Sequence, residues 1–287
     1  MEPGIYYGLE ADKYFAIKAF SKSMVASTMR SAKHLKHYLA TDYKSAAMVT
    51  GSLVDALLLD PKELEKFTIL PETYINSKNK EMPFTMQSKT CKETYTKMIA
   101  DGFTPIKQAD MDKAKEIADG VMDNTAAATL LKNAKTQVAL VWIDKETGLK
   151  CKSRIDAMTS NTLIDLKTTR NAQLRPFSRD IVNLGYHTQA GMYLDGWRAL
   201  NDGTELQWHF IAVENEAPYC CAVYELDSES IECGRIRFQT ALQKYKGYLE
   251  NDPDLLKGYS DFVEPISVPT WEIETAFKEG DENDCGI

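Results

Sequence analysis

Leu149-Lys-Cys-Lys-Ser-Arg-Ile-Asp156, the turn Thr159-Ser-Asn161, Thr162-Leu-Ile-Asp165-Leu-Lys167-Thr-Thr169 and Tyr186-His-Thr-Gln189-Ala-Gly-Met-Tyr193 are the segments whose reading decides the fold. The first alternates as a strand. The third continues as a second strand after the turn, and the fourth falls in a helical region. Side chains on a strand alternate faces. Leu149, Cys151, Ser153 and Ile155 therefore share one face, and Lys150, Lys152, Arg154 and Asp156 the other. In the second strand Leu163, Asp165 and Lys167 point one way, and Ile164, Leu166 and Thr168 the opposite way. If the two strands pair, Asp156 lies beside Asp165 and Lys167. Gln189 and Tyr193, spaced i, i+4, share a helix face.

Two carboxylates and an ammonium on adjacent strands suit a hard cation. Magnesium prefers carboxylate and water oxygens, and takes one or two protein carboxylates while leaving positions for phosphate and water. Such a cation polarises a scissile phosphate and acidifies a bound water. Lys167 is placed to orient that water and to stabilise charge developing on the phosphate. Lys150, Lys152 and Arg154 are candidate contacts to flanking phosphates, which supply affinity without reading sequence. The expectation is a magnesium-dependent phosphodiesterase site acting on DNA.

Plainer explanations stand beside this one. A cross-strand ion pair on a solvated sheet face also accounts for Asp165 and Lys167. Asp-x-Lys recurs at Asp42-Tyr-Lys44 and Asp60-Pro-Lys62, without a preceding apolar strand or an acid on a neighbouring strand. Gln189 is either a water- or phosphate-orienting group or a surface residue. Tyr193 is either a phosphate donor or base-stacking group, or half-buried core. His187 reads as a structural histidine.

Outward from this stretch, Thr136–Ile143 is β-branched and aromatic and predicts a strand. With the loop Asp144–Gly148 it completes a three-stranded antiparallel meander. A helical region over 170–200, strands at Leu206–Val213 and Tyr219–Tyr224, and a helix from Ser228 to Tyr248 follow. Upstream, residues 1–20 read as an irregular entry segment. Met24–Tyr38 reads as one helix, with Ser21 and Ser23 as caps or phosphate contacts. Ala46–Leu59 is a mostly apolar helix holding Asp55, an acid that calls for a partner because burying an unpaired charge is costly. Residues 67–88 read as loop. Helices are predicted at Thr90–Ala100, Gln108–Met122 and Thr125–Asn133. The order of elements fits one α/β domain with a helical N-terminal elaboration.

The net charge is −8 over 287 residues. Residues 251–287 hold ten acidic and two basic residues, so the first 250 sum to zero. A neutral body can still carry a local basic groove. No apolar run is long enough for a transmembrane helix. Met1-Glu-Pro-Gly lacks the features of a signal peptide. The cysteines Cys91, Cys151, Cys220, Cys221, Cys233 and Cys285 form no CxxC pair, so reduced thiols in the cytoplasm are expected.

Taken together, Arg154-Ile-Asp156, Leu163-Ile-Asp165-Leu-Lys167-Thr-Thr169 and Tyr186-His-Thr-Gln189-Ala-Gly-Met-Tyr193 resemble the PD-(D/E)XK nuclease superfamily. They are most similar to the exodeoxyribonuclease VIII (RecE) nuclease domain and its phage-borne relatives. Gly4-Ile-Tyr-Tyr-Gly8, Phe20-Ser-Lys-Ser23, Gly51-Ser-Leu-Val-Asp55 and Asp60-Pro61 extend the resemblance over most of residues 1–250. It implies a restriction-endonuclease-like core with a mixed central sheet flanked by helices. The single domain would span 1–265, with the helical elaboration over about 1–133 and the catalytic core over about 134–250. An acidic tail, 266–287, would follow.

The resemblance also implies roles. Asp156, Asp165 and the Leu166 backbone carbonyl would hold Mg2+, with Mn2+ able to substitute, and Lys167 would be catalytic. Gln189 and Tyr193 match the motif that follows. Relatives often carry histidine where this chain has Asp55, so Asp55 as third ligand is a departure. The implied activity is a 5′→3′ exonuclease on linear double-stranded DNA ends. It would leave 3′ tails for a single-strand annealing protein, act as a homo-oligomer or ring, and involve no membrane. An endonuclease with the same core, or a DNA- or partner-binding module without catalysis, are the alternatives.

Overall fold

The computed structural model describes residues 1–41, 45–251 and 258–284. Asp42-Tyr-Lys44 and the expected free thiol of Cys285 lie outside them, as does part of the acidic tail. The chain enters along β1 (Gly4–Tyr6), which pairs antiparallel with Ala139–Val141 at the sheet edge. The entry segment is thus partly sheet, a pairing three residues long that leaves little pattern in a sequence. After α1 (Ala11–Phe15), the helix expected over 24–38 is two helices, α2 (Lys22–Arg30) and α3 (Ala32–Ala40). Ser31 breaks it in extended backbone and caps α3, its hydroxyl accepting the His34 N–H at 3.3 Å. α4 (Ala46–Leu58) ends before a 3-10 turn at Pro61–Lys66.

The stretch expected as loop holds three-residue strands β2 (Phe67–Ile69), β3 (Thr73–Ile75) and β4 (Glu81–Pro83). β3 and β4 form a hairpin. Beyond α5 (Lys89–Ala100), β5 (Thr104–Ile106) pairs parallel with β2. α6 (Gln108–Asp123) and α7 (Thr125–Lys132) follow the expected periodicity.

β6 (Lys135–Ile143), β7 (Lys150–Met158) and β8 (Thr162–Thr169) form the antiparallel meander. The helical region after it is two helices, α8 (Leu174–Asn183) and α9 (Tyr186–Leu200), separated at Gly185 with φ 67°. This crossover brings β9 (Gln207–Glu214) parallel to β8, as a parallel pair requires a long connection. β10 (Cys221–Glu225) returns antiparallel, and α10 (Ser228–Glu250) closes the body. The six-stranded mixed sheet runs β1-β6-β7-β8-β9-β10, which is the restriction-endonuclease-like layout anticipated for the core.

Each sheet face carries its own core. On one, Leu140, Trp142, Leu163 and Trp208 pack with Met192 of α9 and Phe238 of α10. On the other, Ile164, Leu166 and Ile211 pack with Leu53 of α4 and Ile117 of α6. α9 and α10 approach closely where Gly191 faces Arg235 and Gly234 faces His187; a Cβ on either glycine would overlap the opposing backbone. That contact sets the depth of α9, which carries Gln189.

The tail contains a helix, α11 (Thr270–Asp284), and its described side chains are exposed. Cys91, Cys151, Cys220, Cys221 and Cys233 are free thiols. Among the described residues no helix is long and apolar enough to cross a membrane.

Candidate active site

The site is built on a fork in the sheet. β7 pairs with β6 along its whole length, but with β8 only at Ala157↔Ile164 and Met158↔Leu163. Above that point β8 leaves, and the vacated edge of β7 is taken by Phe20. The Phe20 N–H donates to Lys150 O at 2.9 Å, and its carbonyl accepts from Lys152 N–H at 2.8 Å. Asp156 sits at the branch point, its Oδ2 accepting the Leu166 N–H at 2.9 Å. The strict alternation expected for β7 breaks here. Ile155 belongs to the core on one face and Ala157 to the core on the other. Gln137, across the β6–β7 ladder, takes a left-handed φ of 51°.

On β8 the alternation holds: Leu163 packs on one core, Ile164 and Leu166 on the other. Asp165 is 1% exposed and held from two sides. Lys167 Nζ lies 2.7 Å from Oδ2, and Gln189 Nε2 donates to Oδ1 at 2.5 Å. Asp165 and Lys167 therefore form an ion pair, as the plainer explanation allowed, but inside the fold and not on a solvated face. Gln189 is likewise buried.

Asp55 completes the cluster from α4, the helix packed on the sheet face that carries Ile164 and Leu166. Burial and the Asp165 charge push its carboxyl up to about 7, against the pull of Lys167 and Arg154. Burial and the charges of Asp165 and Asp55 hold Asp156 well above the usual carboxylate range. Burial acts to lower the Lys167 ammonium, but Asp165 and Asp156 outweigh it and hold it above its ordinary value. Three acids thus gather around the half-buried Lys167.

The basic residues expected to meet DNA are placed differently. Lys152 is buried, and its ammonium donates to the carbonyls of Tyr14, Phe15 and Ile17 at 3.0, 3.1 and 2.8 Å. All three of its protons are used in closing the end of α1, so it is a structural cation and not a phosphate contact. Lys150 donates to Met1 O at 3.1 Å. Arg154 lies 3.8 Å from Asp60, the second Asp-x-Lys aspartate, and acts on Asp55 electrostatically. Ser21 occupies the N-cap position of α2 without capping it; its hydroxyl is 3.0 Å from that of Ser23. Tyr193 is core: its ring packs edge-on against Trp208 at 5.9 Å, and its hydroxyl is hydrogen-bonded to the Arg154 backbone. His187 is structural, its Nδ1 donating to Ile181 O at 3.0 Å.

Two residues not singled out in the sequence join the cluster. Lys22 opens α2 and donates to Leu184 O at 3.0 Å. Tyr186 opens α9 and lies under both lysines, 5.4 Å from Lys22 Nζ and 4.9 Å from Lys167 Nζ. A lysine at the first position of a helix, where the dipole disfavours a cation, was the available signal for Lys22.

The carboxylates fit a divalent cation. Asp165 Oδ2 has no hydrogen-bond donor among the described residues beyond its ion pair with Lys167. Asp55 and Asp156 are held towards their neutral forms by burial first and then by neighbouring carboxylates, Asp165 for both and Asp55 for Asp156. Oxygen donors with surplus negative charge are what Mg2+ takes. The set is not closed into a shell: among the described residues no three His, Cys, Asp or Glu side chains gather at metal-holding separation.

A family model described as a PDDEXK-like domain of unknown function (DUF3799) matches residues 16–254. No curated protein matches. Among solved structures, a presumptive exonuclease from Eubacterium rectale is similar over 92% of this chain and 97% of its own, with a TM-score of 0.59 and 14% identity. At that identity the likeness is one of fold. An alkaline exonuclease from Laribacter hongkongensis is matched over 58% of this chain and 87% of its own, with 15% identity and a TM-score of 0.26. A score that low gives the second likeness no weight.

Proposed function

Since the chain belongs to the PDDEXK-like domain family DUF3799, we propose that it is a metal-dependent nuclease that hydrolyses DNA phosphodiesters. The observation that carries this reading is the Asp165–Lys167 ion pair on one strand, 2.7 Å apart with Asp165 buried, and with Asp156 and Asp55 close enough for Asp165 to act on both. A merely structural ion pair does not call for two further half-buried acids beside it, because each adds repulsion.

Asp156, Asp165, Asp55 and the Leu166 carbonyl would hold Mg2+, or Mn2+ in its place. When bound, the cation supplies charge to the scissile phosphate and acidity to a water. The chain's own residues do the rest. Gln189 fixes Asp165 from Oδ1. Lys167 holds Oδ2 and presents its remaining N–H donors to the water and the phosphate. Burial on both sheet faces keeps the local dielectric low, which strengthens each of these interactions.

The finer reading is a 5′→3′ exonuclease on the ends of linear duplex DNA. It would leave 3′ tails for a single-strand annealing protein, act in the cytoplasm as a homo-oligomer or ring, and be of phage or prophage origin, as the resemblance implies. The pattern of Asp156, Asp165, Lys167 and Gln189 supports it by resemblance, and the free thiols among the described residues suit a reducing compartment. The test is digestion of end-labelled linear and closed circular duplex in Mg2+. Shortening of linear duplex from its 5′ ends, with circles untouched, is the expected result. Nicking of circles would replace exonuclease by endonuclease, and DNA binding without metal-dependent cleavage would leave only a binding module.

A further inference from the structure

We propose that Lys22 and Tyr186 form a second phosphate subsite, which holds a phosphate of the DNA strand beside the one cleaved at Lys167. This rests on the nuclease reading and extends it to how the strand is held.

Lys22 is badly placed for a cation that only stabilises the fold. It is the first residue of α2, where the helix dipole is positive. It is half-buried, and it shares its surroundings with Lys167. Burial and the Lys167 charge lower its ammonium to about 8, more than Asp165 restores. Its one hydrogen bond among the described residues is to Leu184 O, which leaves two N–H donors without an acceptor. An anion reaching Lys22 would relieve the repulsion between the two lysines and take those donors.

Tyr186 makes the place a subsite. Its ring is flanked by both ammoniums, so the two cations lie close enough to serve neighbouring phosphates of one strand. Among the described residues its hydroxyl takes no hydrogen bond, so it too has a donor to offer. α2 is brought here by the Phe20 stub on β7, and α9 by its packing on α10. Both carriers are therefore fixed by backbone, and the subsite is preorganised.

The test compares wild type with Lys22→Gln and Lys22→Arg, with a thermal melt recorded for each. Duplex DNA binding is measured without metal over a range of salt, with phosphate-terminated and hydroxyl-terminated ends. Lys22→Gln is expected to reduce the salt slope by about 0.9, the share of one phosphate contact on duplex DNA. Lys22→Arg should keep it. In cleavage with Mg2+, Lys22→Gln should raise KM with kcat changed little, since the lost contact binds ground and transition states alike. A loss confined to phosphate-terminated DNA marks a terminal phosphate as the ligand, and an equal loss marks an internal one. If Lys22→Gln lowers only the melting temperature, with slope and KM intact while wild type binds and cleaves, Lys22 is structural and the subsite is refuted. If wild type neither binds nor cleaves DNA, the nuclease reading falls and the subsite with it.

Discussion

Asp156 Oδ2 accepts the Leu166 N–H at 2.9 Å, so a side chain takes the place of a ladder bond where β8 parts from β7. The same carboxyl is thus both a joint in the sheet and a candidate cation ligand, and the two roles separate by substitution. Asn offers an oxygen acceptor but no charge; Ala offers neither. Asp156→Asn should fold with near wild-type stability and lose cleavage. Asp156→Ala should lose cleavage and also about 1–3 kcal/mol of stability, the cost of stranding a buried N–H. Denaturant unfolding beside a cleavage assay decides this; equal stability of the two variants would show that the hydrogen bond does not hold the fork.

Lys167 is the only ammonium in direct contact with Asp165 among the described residues, and removing it leaves buried carboxylates without compensation. Lys167→Met should reduce cleavage by about 10²-fold or more. It should also destabilise the metal-free protein increasingly as pH rises and the acids try to ionise. Millimolar Mg2+ should restore part of the melting temperature. Cleavage at wild-type rate in this variant would refute the assigned site.

Asp55 sets a pH dependence whose sign follows from its environment. Its unfolded value is near 3.9, and in the fold it is raised to about 7. The folded chain therefore binds more protons between about pH 4 and 7, and stability falls as pH rises through that window. Asp55→Asn should flatten this fall and, at pH 8 without metal, stabilise the protein by on the order of a few kcal/mol. In wild type, Mg2+ should raise the melting temperature more at pH 8 than at pH 5, because the cation favours the ionised form. That increment should shrink in Asp55→Asn; an increment independent of pH and of this substitution would remove Asp55 from the ligand set.

What was legible in the sequence was local. The meander from β6 to β8 and the facing of Asp165 and Lys167 follow from period-two alternation, which a strand packed on both faces preserves. Asp156 was legible as a residue but not in its direction, because the break in alternation is imposed by the fork between β7 and β8. Lys152 could not be told from a phosphate contact, since only the end of α1, more than a hundred residues away, shows what its ammonium holds. Lys22 was hidden for a related reason: its neighbours Lys167 and Tyr186 come from β8 and α9. Ser31 was read as one more helical residue because a serine inside a helical stripe does not announce that its hydroxyl caps the next turn.

Gln189 and Tyr193 share a helix face, yet their side chains have different work. Gln189 reaches Asp165, while the Tyr193 hydroxyl meets the Arg154 backbone and its ring lies against Trp208. Tyr193→Phe keeps the ring and removes one buried hydrogen bond, so it should cost about 1 kcal/mol of stability and leave kcat within a few-fold of wild type. Gln189→Ala unhooks Asp165 from α9 and leaves Lys167 as its remaining partner. It should lower kcat by at least ten-fold, and Gln189→Asn, one methylene short, should recover little of it. Steady-state rates for the three variants separate the roles. A collapse of kcat in Tyr193→Phe with the melting temperature unchanged would return Tyr193 to the reacting centre and show that its place in the core is incidental to its function.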